Sequence, residues 1–176
     1  MAVNTDRSDN PHRTLGRGMA LASSLVVLGL LWALFGQAVD SRDNPNRHLA
    51  IAPGEELVLK RDRQGHYVFP GEINGQPVVF LLDTGATLVS IPAHLGQTLG
   101  LVPGAQQRSI TANGTVVTRA TRIGTLSFGP FELHNVTASL NPGMQDNKIL
   151  LGMSVLRHLE FTQRGDTLLL RAGHGG

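Results

Sequence analysis

The chain has 176 residues, a formal net charge of +2 and no cysteine, which excludes thiol catalysis, Cys-based zinc sites and disulfides. Its 15 Lys and Arg residues are scattered, with no basic stripe that would point to nucleic acid. Only 5% of the residues are aromatic and 21 are Gly, a balance that favours short strands and turns over long helices.

Met19 to Val39 is 21 residues without a charge, centred on Leu25-Val26-Val27-Leu28-Gly29-Leu30-Leu31-Trp32. As a helix it would be about 30 Å long, the hydrocarbon thickness of a bilayer. Arg7, Arg13 and Arg17 precede it, while Asp40, Arg42, Asp43 and Arg47 follow as a balanced set. The positive-inside bias then leaves residues 1–18 in the cytoplasm, 19–39 as a single transmembrane anchor and the remainder exported. Gly36-Gln37-Ala38 has the small-x-small form of a signal-peptide cleavage site, so a removed leader is the rival reading, and it exports the same domain. Residues 40–56 show no periodic pattern and read as a tether.

A domain is expected over 57–172. Leu57 to Lys60 is a candidate strand. His66 to Ile73 and Gln76 to Leu82 flank Asn74-Gly75, the dipeptide of a type I′ hairpin, whose two central residues both need positive φ. After Pro92, Ala93 to Leu99 suits a short helix that Gly100 would stop. Gln107 to Ala112 and Thr115 to Phe128 flank Asn113-Gly114, a second hairpin signal. Phe131 to Leu140 is another strand, Ile149 to Leu151 a short buried one, and Met153 to His158 one or two helical turns. Glu160 to Gln163 and Thr167 to Arg171 form a last hairpin around Gly165-Asp166, before a flexible tail over 173–176. Strands at this spacing predict an all-β fold, a small closed barrel with one short helix, preceded by the transmembrane helix.

Asp83-Thr84-Gly85 carries the chemistry. It follows the apolar run Val78-Val79-Phe80-Leu81-Leu82, so an ionisable carboxyl enters a turn straight from a buried strand. Burying a carboxylate is costly unless it is paired or shares a proton. The bland alternative is an Asx-turn residue that caps a loop. Other candidates are weaker. The histidines lack metal-ligand spacing, and Ser90 and Ser154 lie outside any Gly-x-Ser-x-Gly. No metal and no cofactor is expected. Asn135-Val136-Thr137 matches a glycosylation sequon by chance.

Three stretches carry a family resemblance: Phe80-Leu81-Leu82-Asp83-Thr84-Gly85-Ala86-Thr87, Thr111-Ala112-Asn113-Gly114-Thr115 and Ile149-Leu150-Leu151-Gly152-Met153-Ser154-Val155-Leu156. Together they resemble the retropepsin-like aspartic proteases, and more narrowly their membrane-anchored, single-domain bacterial branch. The resemblance covers roughly His66 to Arg171. It implies an aspartic endopeptidase in the bacterial inner membrane, with the protease domain in the periplasm and a peptide or protein as substrate. Asp83 would be the catalytic carboxyl, Thr84 a brace between paired loops, and Gly85 the residue that lets backbone approach substrate. Ala86 and Thr87 would line the cleft. Thr111, Ala112, Asn113, Gly114 and Thr115 would form the flap. Leu151 and Gly152 would pack behind the catalytic loop.

Hydrolysis of this type needs two carboxyls, which about 3 Å apart cannot both ionise and therefore titrate as one unit, as is established for aspartic proteases generally. The chain holds one Asp-Thr-Gly: Asp166-Thr167 runs into Leu168, and no other Asp precedes Thr or Ser and then Gly. The second carboxyl is therefore expected from another copy of Asp83, in a twofold homodimer. Many retropepsins close that dimer with interleaved terminal strands, whereas Arg171-Ala172-Gly173-His174-Gly175-Gly176 is too rich in glycine for a good strand. The alternative reading is a peptide-binding or scaffolding module that keeps the fold without cleaving. A protease that acts only on itself, releasing its domain near Ala38 to Pro53, is a further one.

Overall fold

The computed structural model describes residues 24–30, 44–52, 56–111 and 114–173. Residues 24–30 are helical (α1), and among the described residues no helix is long and apolar enough to cross a membrane. The rest of the expected anchor over 19–39 lies outside the described residues.

The domain consists of β1 (Ala50–Ala52), β2 (Glu56–Lys60), β3 (Val68–Ile73), β4 (Gln76–Leu82), β5 (Val89–Pro92), a 3-10 turn (Ala93–Leu95), β6 (Gln106–Thr111), β7 (Gly114–Phe128), β8 (Phe131–Asn141), β9 (Lys148–Leu151), α2 (Met153–Leu156), β10 (Leu159–Arg164) and β11 (Thr167–Ala172). It is all-β with one short helix, as the strand spacing predicts. Seven strands run in the order β3-β4-β9-β5-β8-β7-β6, and β3 also pairs with β7 through Glu72↔Ser127 and Ile73↔Leu126. That last pairing closes β3, β4, β9, β5, β8 and β7 into a barrel and leaves β6 attached outside it. A second sheet, β1-β2-β11-β10, joins strands from the two ends of the domain.

Local chemistry explains the turns. Asn74 (φ 51°) and Gly75 (φ 75°) both take positive φ, the requirement of the type I′ turn, and Asn74 Oδ1 accepts a hydrogen bond from Thr125 N–H. The expected helix over Ala93 to Leu99 shortens to a 3-10 turn. Gly96 follows it at once and costs helix stability, and Gly100 supplies the left-handed stop at φ 65°. In the second hairpin β6 and β7 pair Thr111 with Gly114, one residue earlier than a turn centred on Asn113-Gly114 requires.

The core fills the barrel and continues under the second sheet. Phe69, Phe80, Phe128 and Phe131 stack at centroid distances of 5.3 to 6.0 Å in tilted and edge-on pairs, arrangements favoured by the ring quadrupole. Leu57 and Leu59 of β2 and Leu168 and Leu170 of β11 belong to the same cluster. Their alternation along the strands turns one face of the sheet onto the barrel.

The amino-terminal boundary differs from the sequence expectation, while the carboxyl-terminal one agrees with it. Within the segment read as a tether, β1 pairs with β2, and Asn46 is 3% exposed. Its Nδ2 donates to Lys60 O (2.9 Å) and Val68 O (2.8 Å), while its Oδ1 accepts from Lys60 N–H (2.6 Å). A side-chain clasp leaves no hydropathy period, which is why pattern reading passes over it. At the other end Arg171 and Ala172 are part of β11, held through Arg171↔Glu160 and Ala172↔Leu159 and by an Arg171–Glu56 ion pair.

Candidate active site

Asp83 stands where two parallel strands end together. β4 and β9 pair in parallel up to Leu82↔Leu151, and the Asp83 N–H continues the ladder by donating to Leu151 O at 3.1 Å. The apolar residues before it fix this position: Phe80, Ile149 and Leu151 are fully buried. Asp83 as a whole is half-buried. Its Oδ1 accepts the Gly85 N–H at 2.9 Å, and its backbone carbonyl accepts from Ala86 N–H at 3.3 Å. The Asx turn that served as the bland alternative is therefore present. It engages one carboxyl oxygen, and Oδ2 accepts no hydrogen bond among the described residues. Turn formation and an available carboxyl oxygen thus coexist at Asp83.

Thr84 and Gly85 are exposed at the tip of this loop, and the Thr84 hydroxyl makes no hydrogen bond among the described residues. Ala86 and Thr87 follow, and their carbonyls reach α2. Met153 N–H donates to Ala86 O (2.8 Å) and Ser154 N–H to Thr87 O (2.9 Å), so the loop satisfies two of the free N–H groups in the first turn of that helix. Gly152 lies between the two segments. A Cβ there would stand 2.6 Å from Ala86 O and closer still to Leu88 O, both fixed backbone atoms. Leu151 and Gly152 thus back onto the loop, Leu151 through its carbonyl and Gly152 through the space it leaves.

Sequence reading passed over one residue in this clasp as a contributor. The Ser154 Oγ accepts the Val89 N–H at 3.1 Å, which fixes the far end of the loop. The available signal was the short polar residue two positions after Gly152, in the first turn of a helix, where a hydroxyl competes for nearby backbone.

The expected flap is not joined to this assembly by the hydrogen bonds described for it. Thr111, Gly114 and Thr115 form the end of the β6–β7 hairpin, with Gly114 at φ 105°, and Ala112 and Asn113 lie outside the described residues. Ser109 Oγ and Thr118 Oγ1 bond across the hairpin at 2.9 Å, and further along β7 Arg119 and Thr121 donate to Gly104 O and Val102 O of the segment before β6. Among the described residues no cluster of His, Asp and Glu could hold a metal. A cavity of about 360 Å³ flanks the loop between Thr87 and Leu88 on one side and Asn135 to Thr137, Met153 and Arg157 on the other; Asp83 does not line it.

This strand–loop–helix assembly coincides with a known family. The profile of the family described as "gag-polyprotein putative aspartyl protease" matches residues 69–158, from β3 through α2. The chain belongs to the retropepsin-like aspartic proteases. A retropepsin-like aspartic protease from Rickettsia conorii, known by crystal structure, is similar at 28% identity with a TM-score of 0.56, covering 65% of this chain and 89% of that one. A Sinorhizobium protein, "Uncharacterized protein in cobV 5'region", is 31% identical over 134 residues. The match takes in 72% of this retropepsin-like chain and spans 58% of the length of that curated relative.

Proposed function

We propose that this retropepsin-like protein is an aspartic endopeptidase whose active site is assembled from two Asp83 side chains, one per protomer of a homodimer. The observation that carries this reading is the half-site itself. One Asp-Thr-Gly loop is clamped at the ends of β4 and β9, with a carboxyl oxygen left open and no second such loop in the chain. Two such carboxyls across a twofold axis share one proton. The ionised member takes a proton from a water held between them as the water oxygen attacks the scissile carbonyl carbon. The protonated member gives its proton to the carbonyl oxygen. The member that took the water's proton passes it to the amide nitrogen, the other member takes a proton from a gem-diol hydroxyl as the C–N bond breaks, and the pair again holds one proton. Thr84 braces one loop against the other, Ala86 and Thr87 line the cleft, and the hairpin carrying Thr111 to Thr115 closes over the peptide.

Residues 19–39 anchor the chain in the bacterial inner membrane, with 1–18 cytoplasmic and the domain in the periplasm. Confinement to a membrane raises the effective concentration of protomers, which favours a weak dimer. The deciding experiment is digestion of a peptide library by the membrane-embedded chain, with and without pepstatin, beside Asp83→Asn. Pepstatin-sensitive cleavage that Asp83→Asn abolishes, with circular dichroism unchanged, supports the enzyme. Unchanged binding of peptides with no cleavage by either protein turns the reading to the binding module. Retention of the chain in the membrane pellet after alkaline extraction tests the anchor.

A further inference from the structure

The cavity of about 360 Å³ beside the Asp83 loop arises where two strands part. β5 and β8 pair in parallel from Val89↔Ala138 onward. Before that point Thr87 and Leu88 diverge from Asn135 to Thr137, and α2 with the residues after it supplies the third wall. The volume falls at the lower end of the range of about 300–1,000 Å³ for small-ligand sites. The wall carries no Asp or Glu, but it carries Arg157. The Arg157 Nε donates to His158 Nε2 at 3.3 Å, and no carboxylate pairs with this guanidinium among the described residues. That bond uses one of its five N–H donors, and it assigns the His158 proton to Nδ1, a further donor on the same wall. The nearby Glu132 is already engaged, with its Oε1 3.1 Å from His134 Nε2. Asn135 adds a conformational oddity. It takes φ 55° inside β8, where the β7–β8 register passes from Ile123↔Val136 to Thr125↔His134, and its carbonyl accepts from Arg122 Nη1 at 3.1 Å. A left-handed residue other than glycine within a strand is costly, and such residues cluster at ligand sites.

We propose that this cavity selects an acidic side chain of the peptide substrate, whose carboxylate the Arg157 guanidinium holds. The inference rests on the endopeptidase reading above and names a class of substrate for it. Thr87 ties the cavity to the chemistry, because it stands on the cavity wall four residues after Asp83. Four residues span at most about 14 Å. An extended peptide advances about 3.3 Å per residue, so a side chain within about four residues of the scissile bond reaches this wall. A guanidinium presents a planar fork of donors that matches both oxygens of a carboxylate, which favours Glu or Asp over an uncharged amide of the same shape. The apolar part of the wall, Leu88, Val136 and Met153, suits the methylene stem of such a side chain.

The test measures peptide binding, by fluorescence polarisation, to the full chain in detergent carrying Asp83→Asn, so that cleavage does not consume the probe. Peptides come in matched pairs, Glu against Gln at one position, scanned through the four residues on either side of the central bond. Glu at one or more of these positions should tighten binding by roughly three- to tenfold over Gln, the scale of a charge-assisted bond at a partly exposed site. Arg157→Gln should erase that preference and leave the Gln peptides bound as before. Arg157→Glu should transfer the preference to peptides with Lys at the same position. Arg157 is exposed at the end of α2, so both variants should fold, which circular dichroism checks. No preference for Glu at any position, or one that survives Arg157→Gln, overturns the subsite. The chain with Asp83 intact separates this result from the reading beneath it. Cleavage that depends on Asp83 but ignores Glu leaves the endopeptidase standing without the subsite. An Arg157-dependent preference for Glu with no cleavage keeps the subsite and turns the protein to a binding module.

Discussion

Gly152→Ala isolates the clasp behind the Asp83 loop. The added methyl would stand 2.6 Å from Ala86 O and nearer to Leu88 O, where ordinary contact begins at 3.4 Å. Both obstacles are backbone, and Val89, just beyond them, is fully buried. The loop must therefore shift by roughly 0.8 Å or more to relieve the overlap. Overpacking of this kind costs about 1–3 kcal/mol, which lowers Tm by roughly 4–12 °C in a domain of this size. The catalytic effect should be larger in proportion. Misplacing a reacting group by about 1 Å costs on the order of 100-fold in rate, so kcat/KM should fall by about that factor while the chain remains folded at 25 °C. Peptide cleavage and thermal unfolding measured on one preparation check both numbers. A variant with wild-type Tm and activity within about twofold would refute the claim that Gly152 holds the Asp83 loop in place, given the displacement worked out above.

Four further outcomes are expected. Asp83→Asn should lower kcat by about 10²–10⁴-fold, the contribution of positioned acid–base groups, with the unfolding transition retained; a smaller loss would remove Asp83 from the chemistry. Ser154→Ala leaves the Val89 N–H without its acceptor and should cost about 1–2 kcal/mol in urea denaturation, with Ser154→Thr restoring most of it. Asn46→Ala removes three hydrogen bonds from a buried side chain and should destabilise the domain by about 3 kcal/mol, whereas an inert tether residue would change nothing. Phe80→Ala removes a fully buried ring that packs on Phe69 and Phe128 and should cost about 3–5 kcal/mol, read as a lower urea midpoint.

What sequence reading delivers here follows from where the signals are local. Asn74-Gly75, Gly100 and Gly165 each demand a positive φ, and each marks a turn that the structure contains. The run from Val78 to Leu82 and Ile149-Leu150-Leu151 are continuously apolar because both strands belong to the barrel wall, and that made the setting of Asp83 visible. The features that escaped are made by partners distant in sequence. The pairing of β2 with β11 joins residues more than a hundred positions apart, and nothing in either strand announces the other. The Asn46 clasp and the Ser154–Val89 bond are single side-chain contacts without a period. The β6–β7 register slipped by one residue because an Asn-Gly pair signals a turn without fixing which of its residues closes the ladder. The loop-closure seam between β3 and β7, two residue pairs in all, is the contact that makes a barrel out of a sheet, and it too is invisible to pattern.

The placement of Asn46 and β1 limits where the chain could be cut without unravelling its four-stranded sheet. A cut upstream of Asn44 spares every bond that Asn46 makes to Lys60 and Val68, and a shed fragment would keep its full complement of strands. A cut beyond Ala50 would strip away both the clasp and the edge strand, leaving β2 bare along one side. Any cut that leaves the domain intact is thereby steered to the stretch before residue 44, and the frayed product of a later cut would present a fresh strand edge open to aggregation.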